Sequence, residues 1–208
     1  PALVDQALDL IRRQVGHMVR LVDDLLDVGR VSRGHIDLRR ERVELRAAVH
    51  QVVEGTRALF EQREQILEVA LPADPVFVSV DPVRLAQIVG NLLNNASKFT
   101  PRGGHVWLAV ELGPQVVIRV RDDGIGLAAE HLTSVFDLFT QVDTSLERTS
   151  TGLGIGLTLV KTLTEMHGGT VTAHSRGLGQ GSEFEVRLPM EVSREVPVAP
   201  LPAAEAAV

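Results

Sequence analysis

"DPVRLAQIVGNLLNNASKFT", residues 81–100, carries the strongest helical signal in the chain. Asp81 suits an N-cap, because a carboxylate accepts from the free N–H groups of a first turn. Pro82 at the first helical position loses no hydrogen bond. Leu85, Ile88, Val89, Leu92, Leu93 and Ala96 recur at helical spacing as one apolar stripe. Asn91, Asn94 and Asn95 interrupt that pattern, since asparagine amides compete for nearby backbone groups and weaken helices. Asn91, Asn95 and Lys98 share one face, at spacings of four and three. Amide oxygens are hard ligands suited to Mg²⁺, and an ammonium neutralises phosphate. For this stretch alone, a polar solvent face that happens to carry asparagine is the competing reading.

Outward from this helix the pattern alternates. Residues 44–63 have helical periodicity, and 66–71 and 76–80 read as strands. Residues 105–112 and 115–122 alternate apolar and polar as a hairpin across Gly113-Pro114. Residues 128–135 suit a short helix, and the polar stretch 140–152 predicts a mobile loop. "GIGLTLVKTLTEMH" (154–167) predicts a helix stopped by Gly168-Gly169, and "TVTAHS" and "SEFEVRLP" close the sheet. The expected fold class is α+β, a two-layer α/β sandwich with helices on one face of a mixed sheet. A long bundle helix is expected to precede it. Within residues 3–32, Leu8, Val15 and Val22 fall seven apart, as do Ile11, Met18 and Leu25. An apolar stripe of that length needs cover, so residues 1–30 are expected to pair with a second copy. The expected boundaries are 1–35 for this helix, 36–192 for the α/β domain and 193–208 for a Pro- and Ala-rich linker.

Composition narrows the functional classes. A net charge of -6 gives no support to a nucleic-acid partner. The absence of cysteine excludes disulfides, thiolate catalysis and cysteine-based metal sites, and fits a cytoplasmic location. No apolar run is long enough to span a bilayer, so direct membrane insertion is not expected of this chain. It begins at Pro1 and runs at once into helix, which reads as a piece of a longer protein whose parent is either membrane-anchored or soluble.

Three glycine-rich stretches accompany the asparagine helix. "RDDGIG" (121–126) follows a strand directly. Gly124 and Gly126 allow a sharp turn with close backbone approach, and Asp122 can accept from an amino group such as adenine N6. An ordinary Asp-Gly turn is the plainer reading. "TGLGIGL" (151–157) runs Gly152, Gly154 and Gly156 into a helix N-terminus, whose free N–H groups suit a polyphosphate. It is neither a dinucleotide fingerprint, since no strand precedes it, nor a P-loop, since no Gly-Lys-Ser/Thr follows. "GLGQGSEF" (177–184) alone reads as a hairpin turn.

In this order, over about residues 40–190, the pieces resemble the ATP-binding domain of two-component sensor histidine kinases. That domain belongs to a wider ATPase superfamily with gyrase-type topoisomerases and heat-shock chaperones. "NLLNNASKFTP" resembles the N box, "DDGIG" the first Gly box and "VFDLFTQVD" the F box. "TGLGIGL" resembles the second Gly box, and "GQGSEFEVRLP" the closing strand. "RQVGHMVRLVDDLLDVGRVSRG" (13–34) resembles the second helix of the dimerisation and phosphoacceptor bundle.

The resemblance implies ATP and Mg²⁺ as ligands, a homodimer through the N-terminal helix bundle, and a response regulator as partner. It implies Asn95 as the Mg²⁺ ligand, with Asn91 beside it, Lys98 on phosphate and Phe99 near the adenine. Asp122 becomes the adenine-reading carboxylate, with Gly124 and Gly126 giving the turn. Phe136 and Phe139 anchor a flexible lid, and Gly152, Gly154 and Gly156 bind phosphate and order that lid when nucleotide is present.

Two departures matter. Thr151 stands where many relatives carry another glycine. None of the seven histidines has the family's phosphoacceptor context, His17 included, so no catalytic residue is assigned and the acceptor is expected on a first bundle helix outside this sequence. A self-sufficient ATPase is the first alternative. Such relatives carry a water-activating Glu four residues before the Mg²⁺-binding Asn, where this chain has Asn91. A non-catalytic dimerisation module with vestigial nucleotide binding is the second.

Overall fold

The computed structural model describes residues 37–140 and 154–190, together with Val15, Met18 and Gly29. The bundle helix as a whole, nearly all of the polar 140–152 stretch with Gly152, and the 193–208 tail lie outside the described residues.

Two sheets form. Strand β1 (Glu41–Glu44) pairs antiparallel with β3 (Phe77–Val80). The larger sheet has the order β2-β4-β5-β7-β6, from β2 (Ile66–Ala70), β4 (His105–Leu112), β5 (Gln115–Asp122), β6 (Thr170–His174) and β7 (Ser182–Pro189). Among the described residues only the β2–β4 pair is parallel, so the sheet is mixed, as expected. The two stretches read as strands at 66–71 and 76–80 therefore part company, each joining a different sheet. Residues 41–44 had no strand signal; "ERVE" is too short to show alternation.

Helices α1 (Leu45–Gln62), α2 (Pro82–Phe99) and α4 (Gly156–Met166) cover one sheet face, and α3 (His131–Ser134) is a single turn. The core lies between the layers. Leu85, Ile88, Val89, Leu92 and Leu93 of α2 are buried against Val106, Leu108, Ile118, Val120 and Val186 of the inner sheet face. Each side chain so buried contributes about 1.5–3 kcal/mol. An asparagine in a helix costs about 0.7 kcal/mol at most, so the stripe holds α2 helical despite three of them. The other face is solvated and charged, as one-sided antiparallel sheets are. There Glu185 bonds Arg119 (2.7 Å) and Arg187 (2.5 Å). Burial alone would raise the Glu185 pKa; the two guanidiniums outweigh it and hold the carboxylate below its ordinary value.

The ends of α2 and α4 are locked together. Asp81 caps α2 as expected, its Oδ1 accepting from the N–H of Val83 (3.0 Å) and Arg84 (3.2 Å). Gly168, at φ +77, closes α4 in a left-handed cap: its N–H reaches Glu165 O, and that of Gly169 reaches Thr164 O, both at 2.9 Å. Between these ends lies buried His167. Its Nε2 accepts from the Asp81 N–H (3.1 Å), so the proton sits on Nδ1 and is donated to Leu163 O (2.7 Å). Burial, seconded by the nearby Arg40 charge and opposed by the Leu163 bond and Asp81, holds its pKa below the ordinary histidine value.

The folded state thus keeps His167 neutral where the unfolded chain takes up a proton. Its contribution is full above pH of about 6.5 and falls as pH drops towards the lowered folded pKa. Denaturant midpoints between pH 5 and 7.5 are expected to fall with acid in the wild type, and less steeply in His167→Gln. Parallel curves would refute the assignment.

Candidate functional site

The asparagine face of α2 meets the first residue of α4. A β-carbon on Gly156 would lie 3.7 Å from Asn91 Oδ1 and 3.9 Å from Asn95 Nδ2. Asn91, Asn95 and Lys98 are half-buried, whereas Asn94 faces solvent. The buried Asn91 Nδ2 has no hydrogen-bond partner among the described residues. A buried amide donor left unpaired is costly, and a ligand with acceptor oxygens would satisfy it. The α4 N-terminus also lacks a side-chain cap; Ile155 precedes it, leaving first-turn N–H groups for another acceptor. At the far end of α2, the Lys98 ammonium lies over the Phe99 ring, 4.7 Å from its centre. Burial, and then the Arg63 charge, lower its pKa from the ordinary lysine value. No carboxylate partners it among the described residues, so an anion would relieve this cost.

The first glycine turn abuts the same helix end. The Ile125 N–H donates to Phe99 O (3.2 Å). At Gly124 any β-carbon would collide with Phe99 O, a backbone atom that cannot step aside. Asp122, at the end of β5, is buried. Its Oδ1 accepts from the N–H of Gly124 (2.9 Å) and of Ser182 (3.3 Å), and its Oδ2 from Ser182 Oγ (2.6 Å). A carboxylate offers about four acceptor sites; the fold uses three, leaving one for an amino group. Burial pushes the Asp122 pKa above its ordinary value, and these three bonds oppose the rise.

The glycine-rich turn before β7 braces this loop. Gly181, at φ +69, lies too close to Asp122 O for a β-carbon. Its N–H bonds Gly124 O (3.0 Å), and the Gly179 N–H bonds Ile125 O (2.7 Å). Ser175 Oγ accepts from the Leu127 N–H (3.0 Å) and lies 2.7 Å from Gly181 O. Ser175 and Ser182 were not among the expected site residues. The motif containing Ser182 was visible; its bond to Asp122, sixty residues away, was not.

The two phenylalanines differ. Phe136 is buried with its ring edge-on to Phe184, at 6.2 Å and 90°, as an anchor should be. Phe139 is 59% exposed with φ +63, a conformation unfavourable for a bulky residue. It does not anchor by burial: its left-handed backbone turns the chain at the mouth of the 141–153 segment. Gly154, at φ +68, lies against Phe139 and Thr140, where a β-carbon would come within 2.8 Å of Thr140 O. The two stems of that segment therefore meet. Gly124, Gly126 and Gly154 occupy turns, Gly156 is the first residue of α4, and Gly152 lies outside the described residues.

Residues 80–192 match the family model described as histidine kinase-, DNA gyrase B-, and HSP90-like ATPase. The chain belongs to this family. The resemblance to the ATP-binding domain of sensor histidine kinases is borne out by its relatives. It is 32% identical over 193 residues to hybrid signal transduction histidine kinase D of Dictyostelium discoideum, which covers 90% of this chain and 12% of that protein. It is 34% identical over 195 residues to histidine protein kinase DivJ of Caulobacter vibrioides, covering 93% and 32%. In these two pairs the chain thus spans between 12% and 32% of the relative's length. Among solved structures, full-length ShkA in complex with AMPPNP matches with a TM-score of 0.76 at 29% identity, covering 89% of this chain and 38% of that one. The mycobacterial sensor histidine kinase MprB matches with a TM-score of 0.63 at 26% identity, covering 72% and 98%. The two-layer α+β fold is that of the histidine kinase catalytic domain. Among the described residues no helix is long and apolar enough to cross a membrane.

The donor set fits Mg·ATP. Among the described residues no three His, Asp or Glu side chains cluster as a metal cage. A Mg²⁺ held here would take an amide oxygen together with nucleotide phosphates, the mode this ion favours.

Proposed function

We propose that this chain is the catalytic, ATP-binding part of a sensor histidine kinase. It transfers the γ-phosphoryl group of ATP to a histidine of a helical bundle, for relay to a response-regulator aspartate. The observation that carries this reading is the meeting of Asn91 and Asn95 with Gly156 at the open end of α4, with Asn91 Nδ2 buried and unpartnered. On this reading Asn95 would hold Mg²⁺, which when bound would neutralise phosphate charge. Asn91 donates its free N–H to an acceptor oxygen. Lys98 offsets phosphate charge, the α4 N–H groups with Gly152 and Gly154 hold the phosphate chain, and Asp122 accepts from adenine N6. Phe99 packs near the adenine, and Phe139 lies at the lid stem. Catalysis is positioning and charge neutralisation.

Asn91 favours transfer over hydrolysis, because a carboxamide cannot take a proton from water. Residues 1–35 are assigned to the second bundle helix of a homodimer, 36–192 to the catalytic domain and 193–208 to a linker, in a cytoplasmic setting. Val15 and Met18, both helical and exposed, support an uncovered apolar stripe.

With γ-labelled ATP, the chain alone is expected to bind nucleotide, hydrolyse it slowly and remain unlabelled. Adding a separate bundle that carries the acceptor histidine is expected to give acid-labile label on that bundle. Strong labelling of the chain alone would make one of its own histidines, His17 first, the acceptor.

A further inference from the structure

Two side chains from the turn between α1 and β2 hold the last turn of α2. Gln65 Nε2 donates to Ser97 O (2.9 Å) and Thr100 O (2.8 Å), and reaches Pro101 O at 3.3 Å. Ser97 Oγ returns a bond to Gln65 Oε1 (2.6 Å). Arg63 Nη1 adds bonds to Ser97 O (2.9 Å) and, longer, Lys98 O (3.3 Å). Gln65 is 7% exposed and Ser97 is fully buried.

A carboxamide and a hydroxyl in a core are costly unless paired, and apolar side chains would fill the space without that condition. What the polar pair adds is direction. Helix-end carbonyls lack intrahelical partners, and here they are bound by groups that fix both the rotation and the end point of the turn. The two residues that leave this turn towards the site are held differently. Phe99 O has a further anchor in the Ile125 N–H. At Lys98 the clamp adds to the helix's own bonds: its carbonyl meets Arg63, and the preceding carbonyl meets both Arg63 and Gln65.

We infer that Gln65, through Ser97 and the carbonyls of the last α2 turn, is a positioning residue that aims Lys98 at the nucleotide phosphates. The inference rests on the reading of this site as an ATP site with Lys98 on phosphate.

Gln65→Met keeps the length and removes every bond; Ser97→Ala removes only the hydroxyl. Affinities for Mg·ATP and for adenosine, which lacks phosphate, are measured by calorimetry on the 208-residue chain. Gln65→Met is expected to weaken Mg·ATP about tenfold, as loss of one charge-assisted contact does. Adenosine should change less than about twofold, since Asp122 is held by Gly124 and Ser182 and Phe99 keeps its second anchor in the Ile125 N–H. In a Lys98→Ala background Gln65→Met should cause no further loss of Mg·ATP affinity. Ser97→Ala should move Mg·ATP in the same direction by about threefold, and it carries the test if Gln65→Met does not fold. Equal weakening of ATP and adenosine, or losses at Gln65 and Lys98 that multiply, would reduce Gln65 to a structural residue and overturn the inference. If the unaltered chain bound adenosine but gained nothing from the phosphates, the site reading would fail first, and the inference with it.

Discussion

Asn95→Ala is expected to cut phosphotransfer to a supplied bundle by about a hundredfold or more while leaving the fold intact. Asn95 is half-buried on α2, with neighbours Leu92, Leu93 and Ala96 that carry the packing. Alanine is also the better helix former, so thermal stability should hold or rise. A Lewis-acid metal on a phosphoryl oxygen is worth several kcal/mol, and each 1.36 kcal/mol is tenfold in rate. Loss of the amide ligand should therefore cost about a hundredfold or more in transfer rate. Raising Mg²⁺ should recover part of the loss, since the phosphates still bind the ion. A rate within about threefold of the unaltered chain at the same Mg²⁺ concentration would remove Asn95 from the metal site.

Asp122→Asn is expected to separate stability from recognition. A buried carboxylate whose pKa is raised above its ordinary value destabilises the fold at neutral pH. The folded state binds the extra proton, so this part of the stability is greatest in acid and is lost as pH rises through the shifted value. The neutral carboxamide lacks that cost, and its oxygen keeps the Gly124 and Ser182 N–H bonds. The variant should unfold no earlier than the parent at pH 7. Its NH₂ now faces the adenine amine, donor against donor, which costs about 1–3 kcal/mol, or roughly ten- to hundredfold in ATP affinity. The parent should prefer ATP over GTP, whose guanine presents a carbonyl oxygen to the carboxylate, and the variant should lose that preference. Equal binding of both nucleotides by the parent would refute the role of Asp122.

What could be read from the sequence was local. The Asp81-Pro82 start of α2, its leucine stripe and the alternation of β4 and β5 each lie within one element, and the structure has them as read. Turn chemistry carried equally well: Gly168-Gly169 stops α4 through the left-handed cap its glycines allow. Partners far apart in the chain did not show. Gln65 meets Ser97 across 32 residues, Ser182 meets Asp122 across 60, and His167 meets Asp81 across 86. Each is an ordinary polar residue whose type gives no hint of its partner. The 41–44 strand escaped because its pairing to β3, rather than its composition, makes it a strand. The F-box resemblance treats Phe139 and Phe136 alike; only the backbone, left-handed at one and not at the other, separates a core ring from an exposed one.

The contact of Gly154 with Phe139 and Thr140 also bears on how the chain tolerates change in length. Because Gly154 lies against Phe139 and Thr140, the sheet does not depend on how many residues separate them. Doubling the number of residues in such a loop costs only about 0.6 kcal/mol in closure entropy, less than the burial of one leucine of α2. Residues inserted or removed between Thr140 and Gly154 are therefore expected to leave the denaturant midpoint of the domain nearly unchanged. A change of length at that point is thus expected to leave Asn91, Asn95 and Asp122 in register.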